Sequence, residues 1–450
     1  MKQIIEKTKS VDLSKETLGN VQHLQCLNCS KIYTLTKLKF DHGTTLLNIC
    51  YEGCLGPLAL IFDLSKISIS RKNILLRPKK FSLLKELLPF ENKKDANDFP
   101  FSELRYSEYF SNKNKLQVYL KLDMDLPSGS FKDRPVLASF KRAKETGYNK
   151  VYVASTGNLA ISCLRLGKEF GFEVKVYLSN TLNKKRRKYI EQFTDDIGKQ
   201  IVTVNGSYDD ANILAIKDCE EQNKKDLIST GQYRTFVPNY SFRPYYKEGS
   251  KTSGFEIALQ LLEQNISEDI NVHIFYPLGS GALISSAYKG ISELNKLGIF
   301  KNKTYFYGIQ QESLNPIVKA YQNGGVILPQ IAQEHLVREI AIGNPGSGTE
   351  VIKLLNLCNG DVEDVSDEET LKSFLELYRN ENLFPQACGA MTLRGFEKIH
   401  ARKNFKPKDI VVINITGDGK GKIEDDLLNY SKKLGLESEF EKILEGGQNG

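Results

Sequence analysis

Short apolar runs alternate with segments of helical spacing along the chain from about residue 115 onward. Runs rich in Val, Ile, Tyr and Phe that are bounded by turn residues are typical of buried strands. Strands that alternate with helices predict an α/β architecture with largely parallel sheets. The predicted strands are LQVYLKLD (116–123), KVYVAS (150–155), EVKVYLS (173–179), QIVTVNG (200–206), VHIFYPL (272–278), KTYFYGIQ (303–310) and DIVVINIT (409–416).

Helical spacing fills the intervals between these strands. The first helix follows Lys132 and ends at Gly147, because glycine is the usual residue just after a helix. The other predicted helices are residues 159–170, residues 183–194, a helix from Asp209 and a helix from Leu283.

The first 70 residues have a different pattern, with short strand-like runs that predict a small β-ribbon. These runs are KIYTLTKLKF (31–40), TLLNIC (45–50) and LALIFD (58–63).

Four cysteines accompany the ribbon in the order Cys-x-x-Cys, twenty residues, Cys-x-x-x-Cys. Thiolates paired on two turns can complete the tetrahedral shell of a structural zinc ion. A ribbon that has lost its metal is the alternative reading. The candidate ligands are Cys26, Cys29, Cys50 and Cys54.

The composition of the 450-residue chain is that of an ordinary globular protein, with 40% hydrophobic and 26% charged residues. No window approaches the roughly 18 apolar residues of a membrane span. The N-terminus has no apolar core of a signal peptide, so we expect a cytoplasmic location. The net charge of +7 is scattered, and the basic run KKRRK (184–188) reads as a solvated helix face. We therefore expect neither a nucleic-acid nor a membrane partner.

Ligands of open α/β sheets bind at the carboxyl ends of the strands, which draws attention to three loops. Gly279-Ser280-Gly281 precedes a helix, where free backbone N–H groups can hold a phosphate, although a tight turn is the plain alternative. The loop STGN (155–158) could hold a carboxylate in the same way, or could only cap its helix. The third loop is TGDGKG (416–421).

Lys132 stands at a corner between a Pro-Ser-Gly-Ser turn and a predicted helix, in the stretch LPSGSFKDRP (126–135). Such a lysine can be merely solvated. It can also be a functional amine held at the mouth of a site, because function concentrates on loops fixed by rigid elements.

In this order, PSGSFKDR (127–134), STGN, PLGSGALI (277–284) and TGDGKGK (416–422) resemble the fold-type II pyridoxal-phosphate enzymes, and among them threonine synthase. The resemblance covers about residues 81 to 422, and an N-terminal cysteine ribbon also occurs in some threonine synthases. Further matching stretches are NGSYDDA (205–211), KEGSKTSGFEI (247–257), IGNP (342–345) and NLFPQACGAMTLRGF (382–396).

The resemblance implies a role for each candidate residue. Lys132 would form the Schiff base with pyridoxal 5'-phosphate, and Phe131 would desolvate its amine. Asn158 would bind the ring hydroxylate, and Thr416 would face the ring nitrogen. Residues implied to bind the cofactor phosphate are Gly279, Ser280, Gly281, Ala282 and Leu283, and those implied to bind substrate are Ser155, Thr156, Gly157, Ser241 and Arg243.

The implied fold has two α/β domains, as in the β subunit of tryptophan synthase, and a small N-terminal Cys ribbon. Residues 71–136 and 241–430 would form the large cofactor-binding domain, and residues 137–240 a small domain that closes on the substrate. Residues 1–70 would form the ribbon and 431–450 a tail. The expected partners are a small amino-acid substrate and a second copy of the chain in a homodimer.

Several positions depart from the threonine synthase pattern. The family's upstream Glu-Gly-x-Thr-Pro-Leu run corresponds to LRYSEYF (104–110), its Glu-Pro to Gln386-Ala387, and its Thr-Gly-His-Gly to a loop that has Asp418. In the segment that helps to hold the substrate phosphate, its first asparagine becomes Tyr240 and its arginine becomes Tyr246. The cofactor-binding motifs of the threonine synthase pattern are therefore kept, while the residues that would contact the substrate differ from it.

Three functions follow from this pattern. The first is a carbon–oxygen lyase that catalyses elimination or replacement on an amino acid with a β- or γ-leaving group, as threonine synthase does. The second is β-replacement, as in the formation of cysteate or diaminopropionate. The third is a catalytically silent homologue that binds through its metal ribbon. The retained Lys132 disfavours the third, and the identity of the substrate stays open.

Overall fold

The computed structural model describes residues 18–34, 49–50, 53–90, 97–155, 157–240, 243–331 and 334–446. Its strands are β1 (Val21–Cys26), β2 (Ile32–Tyr33), β3 (Leu58–Phe62), β4 (Leu104–Tyr106), β5 (Gln117–Leu122), β6 (Lys150–Ala154), β7 (Glu173–Ser179), β8 (Ile201–Val204), β9 (Thr235–Phe236), β10 (Val272–Pro277), β11 (Thr304–Gln311), β12 (Asp361–Val365) and β13 (Ile410–Ile415).

The helices of the described residues occupy the intervals between these strands. They are α1 (Arg71–Leu75), α2 (Glu108–Asn114), α3 (Asp133–Glu145), α4 (Asn158–Phe170), α5 (Lys184–Glu191), α6 (Ile197–Gln200), α7 (Tyr208–Thr230), α8 (Arg243–Glu263), α9 (Ala282–Lys296), α10 (Pro316–Gln322), α11 (Gly348–Cys358), α12 (Asp367–Glu381), α13 (Ala387–Lys403), α14 (Glu424–Lys433) and α15 (Glu437–Gly446). None of them is long and apolar enough to cross a membrane.

The described residues form two compact units. The first takes the chain up to Phe101 and again Lys132–Thr252, and the second takes Ser102–Phe131 and the chain from Ser253 onward. The chain passes from the second unit back into the first at the Phe131–Lys132 peptide bond.

The second unit is built on a six-stranded sheet in the order β12-β11-β10-β13-β5-β4. All neighbours run parallel except β4 and β5, which pair antiparallel at one edge. All residues of β10 and β13 are buried, which explains why their sequences are apolar apart from His273 and Asn414. Because β10 and β13 are parallel neighbours, the loops that follow them leave the same edge of the sheet side by side.

The first unit contains a parallel four-stranded sheet in the order β8-β7-β6-β9. Helix α7 covers it, and a capping box between Ser207 and Asp210 fixes the start of that helix. The core beneath α7 brings together Tyr152, Ala154, Tyr177, Val204, Ala211, Ala215, Cys219 and Val237. The predicted α/β architecture with largely parallel sheets is confirmed in both units.

The N-terminal ribbon is a three-stranded antiparallel sheet in the order β2-β1-β3. Its central strand β1 was not among the predicted strands, because the adjacent polar residues Gln22 and His23 interrupt the apolar–polar alternation and Val21 is its only β-branched residue. Of the predicted strand 31–40, residues 35–40 lie outside the described residues, as do residues 45–48 of the next.

The predicted domain bounds stay a prediction, and the two units begin and end elsewhere. Residues 431–446, predicted as part of a tail, include the end of α14 and the whole of α15. Phe440 and Ile443 of α15 are buried in the core of the second unit, so this segment belongs to the packed structure.

Candidate active site

The glycine loop after β10 has the form of an anion cradle. Helix α9 begins at Ala282 with no side-chain cap, so its first N–H groups face the loop. Gly281 has φ +81°, and a Cβ placed on it would lie 2.5 Å from Val351 Cγ2. A Cβ on Gly279 would lie 3.2 Å from Ile340 Cβ. A side chain at Gly281 would be strained and crowded, and one at Gly279 would require Ile340 to shift. Gly279 and Ser280 are partly exposed, so their backbone can meet a small anion.

Thr416 follows β13, the neighbour of β10, and its side chain is buried. Its hydroxyl oxygen lies 3.2 Å from the sulfur of Cys388, at the start of α13. Burial raises the pKa of Cys388, so its thiol stays protonated. A thiol and a hydroxyl, both uncharged, therefore line this end of the sheet.

The turn that leads to Lys132 is fastened to the loop after β13. The N–H of Phe131 donates to the Thr416 carbonyl at 3.0 Å, and the N–H of Asp418 donates to the Gly129 carbonyl at 2.9 Å. Gly129 has φ +71°, and a Cβ there would lie 3.1 Å from Lys422 Nζ. Phe131 and Thr416, predicted from separate motifs, thus share a backbone hydrogen bond within the second unit.

Lys132 is the first residue of its segment in the other unit and directly precedes α3, without a capping hydrogen bond from its side chain. Its Nζ lies 3.2 Å from the hydroxyl oxygen of Tyr246 and 5.8 Å from the centroid of that ring. Tyr246 is buried, and burial raises the pKa of its phenol above the ordinary value. The amine of Lys132 therefore lies against an uncharged, hydrogen-bonding ring.

Residues next to Lys132 on α3 are buried and bonded to two other helices. Ser162 of α4 donates to Asp133 Oδ1 at 2.7 Å. Arg134, which is fully buried, donates from Nη1 to the hydroxyl of Thr252 on α8 at 3.2 Å. These bonds fix the first turn of α3, and thereby the backbone that carries Lys132.

The loop between β6 and α4 places three of the candidate residues. Ser155 is buried, and its hydroxyl accepts the N–H of Gly157 at 3.2 Å. Asn158 is the first residue of α4 and is partly exposed. Thr156 lies outside the described residues. The start of α4 has no side-chain cap, as an anion site at a helix N-terminus requires.

The remaining predicted substrate residues lie before and at the start of α8. Ser241 falls outside the described residues, and Arg243 is the first residue of the helix. The Arg243 charge opposes the rise in the pKa of Tyr246, one turn further along α8, so the two side chains interact.

The four N-terminal cysteines converge. Their sulfurs all lie within 4.8 Å of one another, with Cys26 3.5 Å from Cys54 and Cys29 3.6 Å from Cys50. A tetrahedral zinc site with bonds of about 2.3 Å separates its sulfurs by about 3.8 Å. The arrangement therefore fits a four-thiolate zinc shell.

Polar contacts at this cluster favour thiolates. A hydrogen bond from the backbone of Lys31, aided by the Cys54 sulfur, lowers the pKa of Cys29 to about 6. The hydroxyl of the buried Tyr33 lies 3.0 Å from the sulfur of Cys50. Both contacts would stabilise the charge that a metal-binding thiol carries.

Comparison with known proteins places the chain in a family. The family model described as "Pyridoxal-phosphate dependent enzyme" matches residues 101–417, well over half of the chain. The chain belongs to this family of pyridoxal-phosphate-dependent enzymes. Pyridoxal phosphate is accordingly its cofactor, and the glycine loop and Lys132 both lie inside the matched range.

Two curated relatives are threonine synthases of archaea. The one from Methanosarcina acetivorans is 29% identical over 384 residues, which cover 84% of this chain and 86% of the relative. The one from Methanocaldococcus jannaschii is 26% identical over 401 residues, which cover 88% and 92%. The predicted resemblance to a threonine-synthase-like protein is confirmed.

Solved structures agree on the fold. An L-serine ammonia-lyase from Rhizomucor miehei aligns with a TM-score of 0.57 at 16% identity, covering 71% of this chain and 93% of that one. Threonine deaminase isoform 2 from Solanum lycopersicum aligns with a TM-score of 0.55 at 18% identity, covering 70% and 83%. The predicted fold-type II architecture is confirmed.

Two contacts were not foreseen from the sequence. Tyr246 was noted only as the replacement of the family's arginine, and its hydroxyl contacts Lys132. Cys388 is buried, and its thiol contacts Thr416. The sequence did indicate that Cys388 lies near the site, since it follows Gln386-Ala387 in a stretch that resembles the family.

Proposed function

We propose that the chain catalyses elimination or replacement on an amino acid with a β- or γ-leaving group, as a threonine-synthase-like carbon–oxygen lyase. Lys132 would carry the cofactor. The observation that supports this best is the Lys132 amine at the start of α3, held against the buried hydroxyl of Tyr246 within the family's matched range.

The residues of the second unit fit the cofactor phosphate and ring. The N–H groups around Gly279, Ser280 and Gly281, together with those of Ala282 and Leu283, would hold the phosphate, because a helix N-terminus favours an anion. The cofactor, when bound, supplies an electron sink for the negative charge that forms on the substrate carbon.

Thr416 would face the ring nitrogen with a hydroxyl that carries no charge. An uncharged partner makes a weaker electron sink than a carboxylate would, which suits elimination and replacement better than transamination. The neutral Cys388 thiol next to it keeps this end of the site without charge.

The residues of the first unit would handle the substrate. N–H groups at the start of α4, with Ser155, Thr156 and Gly157, would bind its carboxylate, and Asn158 would bind the ring hydroxylate. Ser241 and Arg243 would lie toward the leaving group. The Lys132 amine, once released, would take and return the proton at the substrate carbon.

β-Replacement of the cysteate or diaminopropionate type is the second candidate. It uses the same cofactor chemistry, and Tyr240 and Tyr246 leave the leaving group open, because they stand where the threonine synthase pattern has an asparagine and a phosphate-binding arginine. A catalytically silent homologue is the least favoured, since such a protein has little reason to keep Lys132 with its glycine loop.

We also propose that Cys26, Cys29, Cys50 and Cys54 hold one zinc ion with a structural role. A closed shell of four thiolates leaves no position for substrate, so this metal would take no part in the reaction.

Lys132→Ala tests the proposal. Full-length protein would be reduced with borohydride and digested, and the peptide that carries the cofactor mass identified. We expect the label on the Lys132 peptide of the wild type, and neither label nor turnover in Lys132→Ala. Lys144→Ala, at an exposed lysine of the same helix, should keep both. Reducible cofactor on another lysine of Lys132→Ala would show the assignment to be wrong.

Screening amino acids for a change in the absorbance of the bound cofactor, followed by product mass, separates the candidate reactions. A product that has lost its leaving group with water added supports the lyase reaction, and one with a new β-substituent supports replacement. No absorbance change with any amino acid would favour the silent homologue.

A further inference from the structure

Helices α3 and α8 approach so closely that their backbones touch. A Cβ on Gly249 of α8 would lie 2.3 Å from the carbonyl oxygen of Arg134 and 2.7 Å from Pro135 Cα. No side chain other than hydrogen fits there. The surface of α8 that includes Gly249 is therefore pressed against the first turn of α3.

The close contact of the two helices at Gly249 determines which side chains of α8 reach α3. Tyr246 lies one turn before Gly249, and Thr252 lies one turn after it, so all three share a face. Thr252 accepts a hydrogen bond from the Arg134 guanidinium at 3.2 Å, and Tyr246 accepts one from Lys132 Nζ at 3.2 Å. The two contacts bracket the glycine and fix the register of the helices.

The environment of Tyr246 keeps its phenol neutral. Burial raises its pKa, the nearby Cys163 and Tyr208 act in the same direction, and the Arg243 charge opposes them. A neutral phenol can accept a hydrogen bond from a charged lysine and can donate one to an uncharged lysine. It can therefore hold the amine in either protonation state.

We propose that Tyr246 is a positioning residue that holds the Lys132 amine whenever that amine is not bonded to the cofactor. The inference rests on the proposed role of Lys132. It assigns Tyr246 to the amine rather than to the leaving group of the substrate. An arginine at this position would place a second positive charge beside the lysine, whereas tyrosine supplies a hydroxyl and a ring face.

The test measures the reactivity of the Lys132 amine in full-length protein freed of cofactor with hydroxylamine. A limiting amount of acetic anhydride labels the lysines, and peptide mass spectrometry gives the rate at Lys132 relative to Lys144. Tyr246→Phe keeps the ring and removes the hydroxyl. Without the hydroxyl, the Lys132 amine moves more freely and its charged form is less stabilised. Both effects should speed the acetylation of Lys132, by about two- to tenfold for the loss of one hydrogen bond.

Tyr245→Phe is the matched control, because Tyr245 is also buried on α8 and its ring lies beside the Arg142 guanidinium. It should leave labelling of Lys132 unchanged. With cofactor restored, Tyr246→Phe should lower kcat more than it raises KM, since a positioning defect acts after substrate has bound.

An unchanged labelling rate in Tyr246→Phe with wild-type thermal stability would overturn the inference. That result differs from failure of the proposed function, which would appear as cofactor trapped on a lysine other than Lys132. Because labelling is measured without cofactor, it reports the Tyr246 contact in either case.

Discussion

His273 Nδ1 lies 2.9 Å from the hydroxyl oxygen of Tyr307 in the core of the second unit. The other ring nitrogen lies 3.2 Å from Asp409 Oδ2, and the ring stacks on Phe405 at 4.0 Å between centroids. Burial lowers the pKa of His273 to about 4, and the Asp409 carboxylate opposes this only in part. This histidine, near the start of β10, is thus uncharged in the folded protein at neutral pH.

The protein should therefore lose stability on mild acidification. The unfolded chain binds a proton at this histidine below about pH 6.5, whereas the folded chain does so only near pH 4. Stability is lost as pH falls through this window, by about 2 kcal/mol between pH 7 and pH 5. His273→Gln should remove that part of the pH dependence in urea unfolding.

His23→Gln is the control, because His23 lies on β1 of the ribbon and is partly exposed. It gives the effect of removing a partly exposed histidine, against which the effect of His273→Gln is compared. Parallel pH profiles for His273→Gln and the wild type would contradict the prediction.

Gly281→Ala should weaken both the fold and cofactor binding. The alanine would have to adopt the left-handed backbone conformation of Gly281, and its Cβ would lie 2.5 Å from Val351 Cγ2. We expect a loss of about 2–4 kcal/mol in the free energy of unfolding, from backbone strain plus overpacking. Movement of the loop should also raise the Kd for pyridoxal phosphate, measured by absorbance titration, by at least about tenfold.

Gly298→Ala is the matched control at the other end of α9. Gly298 has φ +69°, and a Cβ there would meet nothing within 4 Å. It should cost only the strain, about 1–2 kcal/mol, and leave cofactor affinity unchanged. Equal effects of the two substitutions on affinity would argue against the loop as the phosphate site.

Much of the fold could be predicted because the buried parallel strands are rich in apolar residues and can be recognised from the sequence. VHIFYP of β10 and IVVINI of β13 are wholly buried and read plainly as strands. DVEDV of β12 does not, since it lies at the sheet edge and only Val362 and Val365 are buried. In edge strands with many polar residues, the alternation of apolar and polar positions is too weak for the strand to be predicted.

Some residues of the candidate site could likewise be predicted from local sequence, and others could not. Lys132, the glycine loop and Thr416 follow predicted strands or turns, so local patterns located them. The contact of Tyr246 with Lys132 depends on the close approach of α8 to α3 at Gly249, residues far apart in sequence. Helical spacing gives the face of α8 but not which helix that face touches.

Zinc should be found at one ion per chain and should disappear in Cys50→Ser. The Cys50 sulfur lies 3.6 Å from that of Cys29 and 3.0 Å from the Tyr33 hydroxyl, so its loss removes a ligand from the buried side of the cluster. Metal analysis of full-length protein expressed with zinc gives the content, and thiol titration gives the number of reactive cysteines.

Cys358→Ser is the control, because Cys358 lies on α11 in the other unit. It should keep one zinc. A zinc-free wild type whose four ribbon thiols titrate freely would contradict the proposal, and so would full zinc in Cys50→Ser.

O-Phosphohomoserine should not be the best substrate. The position of the family's phosphate-binding arginine is held by Tyr246, whose hydroxyl is engaged with Lys132. Each hydrogen bond to a charged group contributes about 1.5–3 kcal/mol, so losing a two-pronged contact with a dianion should cost several kcal/mol. We expect kcat/KM for phosphohomoserine below about 10⁴ M⁻¹s⁻¹, and a higher value for an amino acid with an uncharged leaving group.

Lys247 or Arg243 could replace the missing cation, and Arg243 can be tested by substitution because it begins α8 one turn before Tyr246. If it did, Arg243→Gln would raise KM for phosphohomoserine far more than KM for a substrate with an uncharged leaving group. We expect instead that the two KM values change by similar factors, since Arg243 lies one turn away from the position that Tyr246 holds in place of the family's phosphate-binding arginine. Turnover of phosphohomoserine above the stated limit, lost selectively in Arg243→Gln, would restore threonine synthase itself as the function.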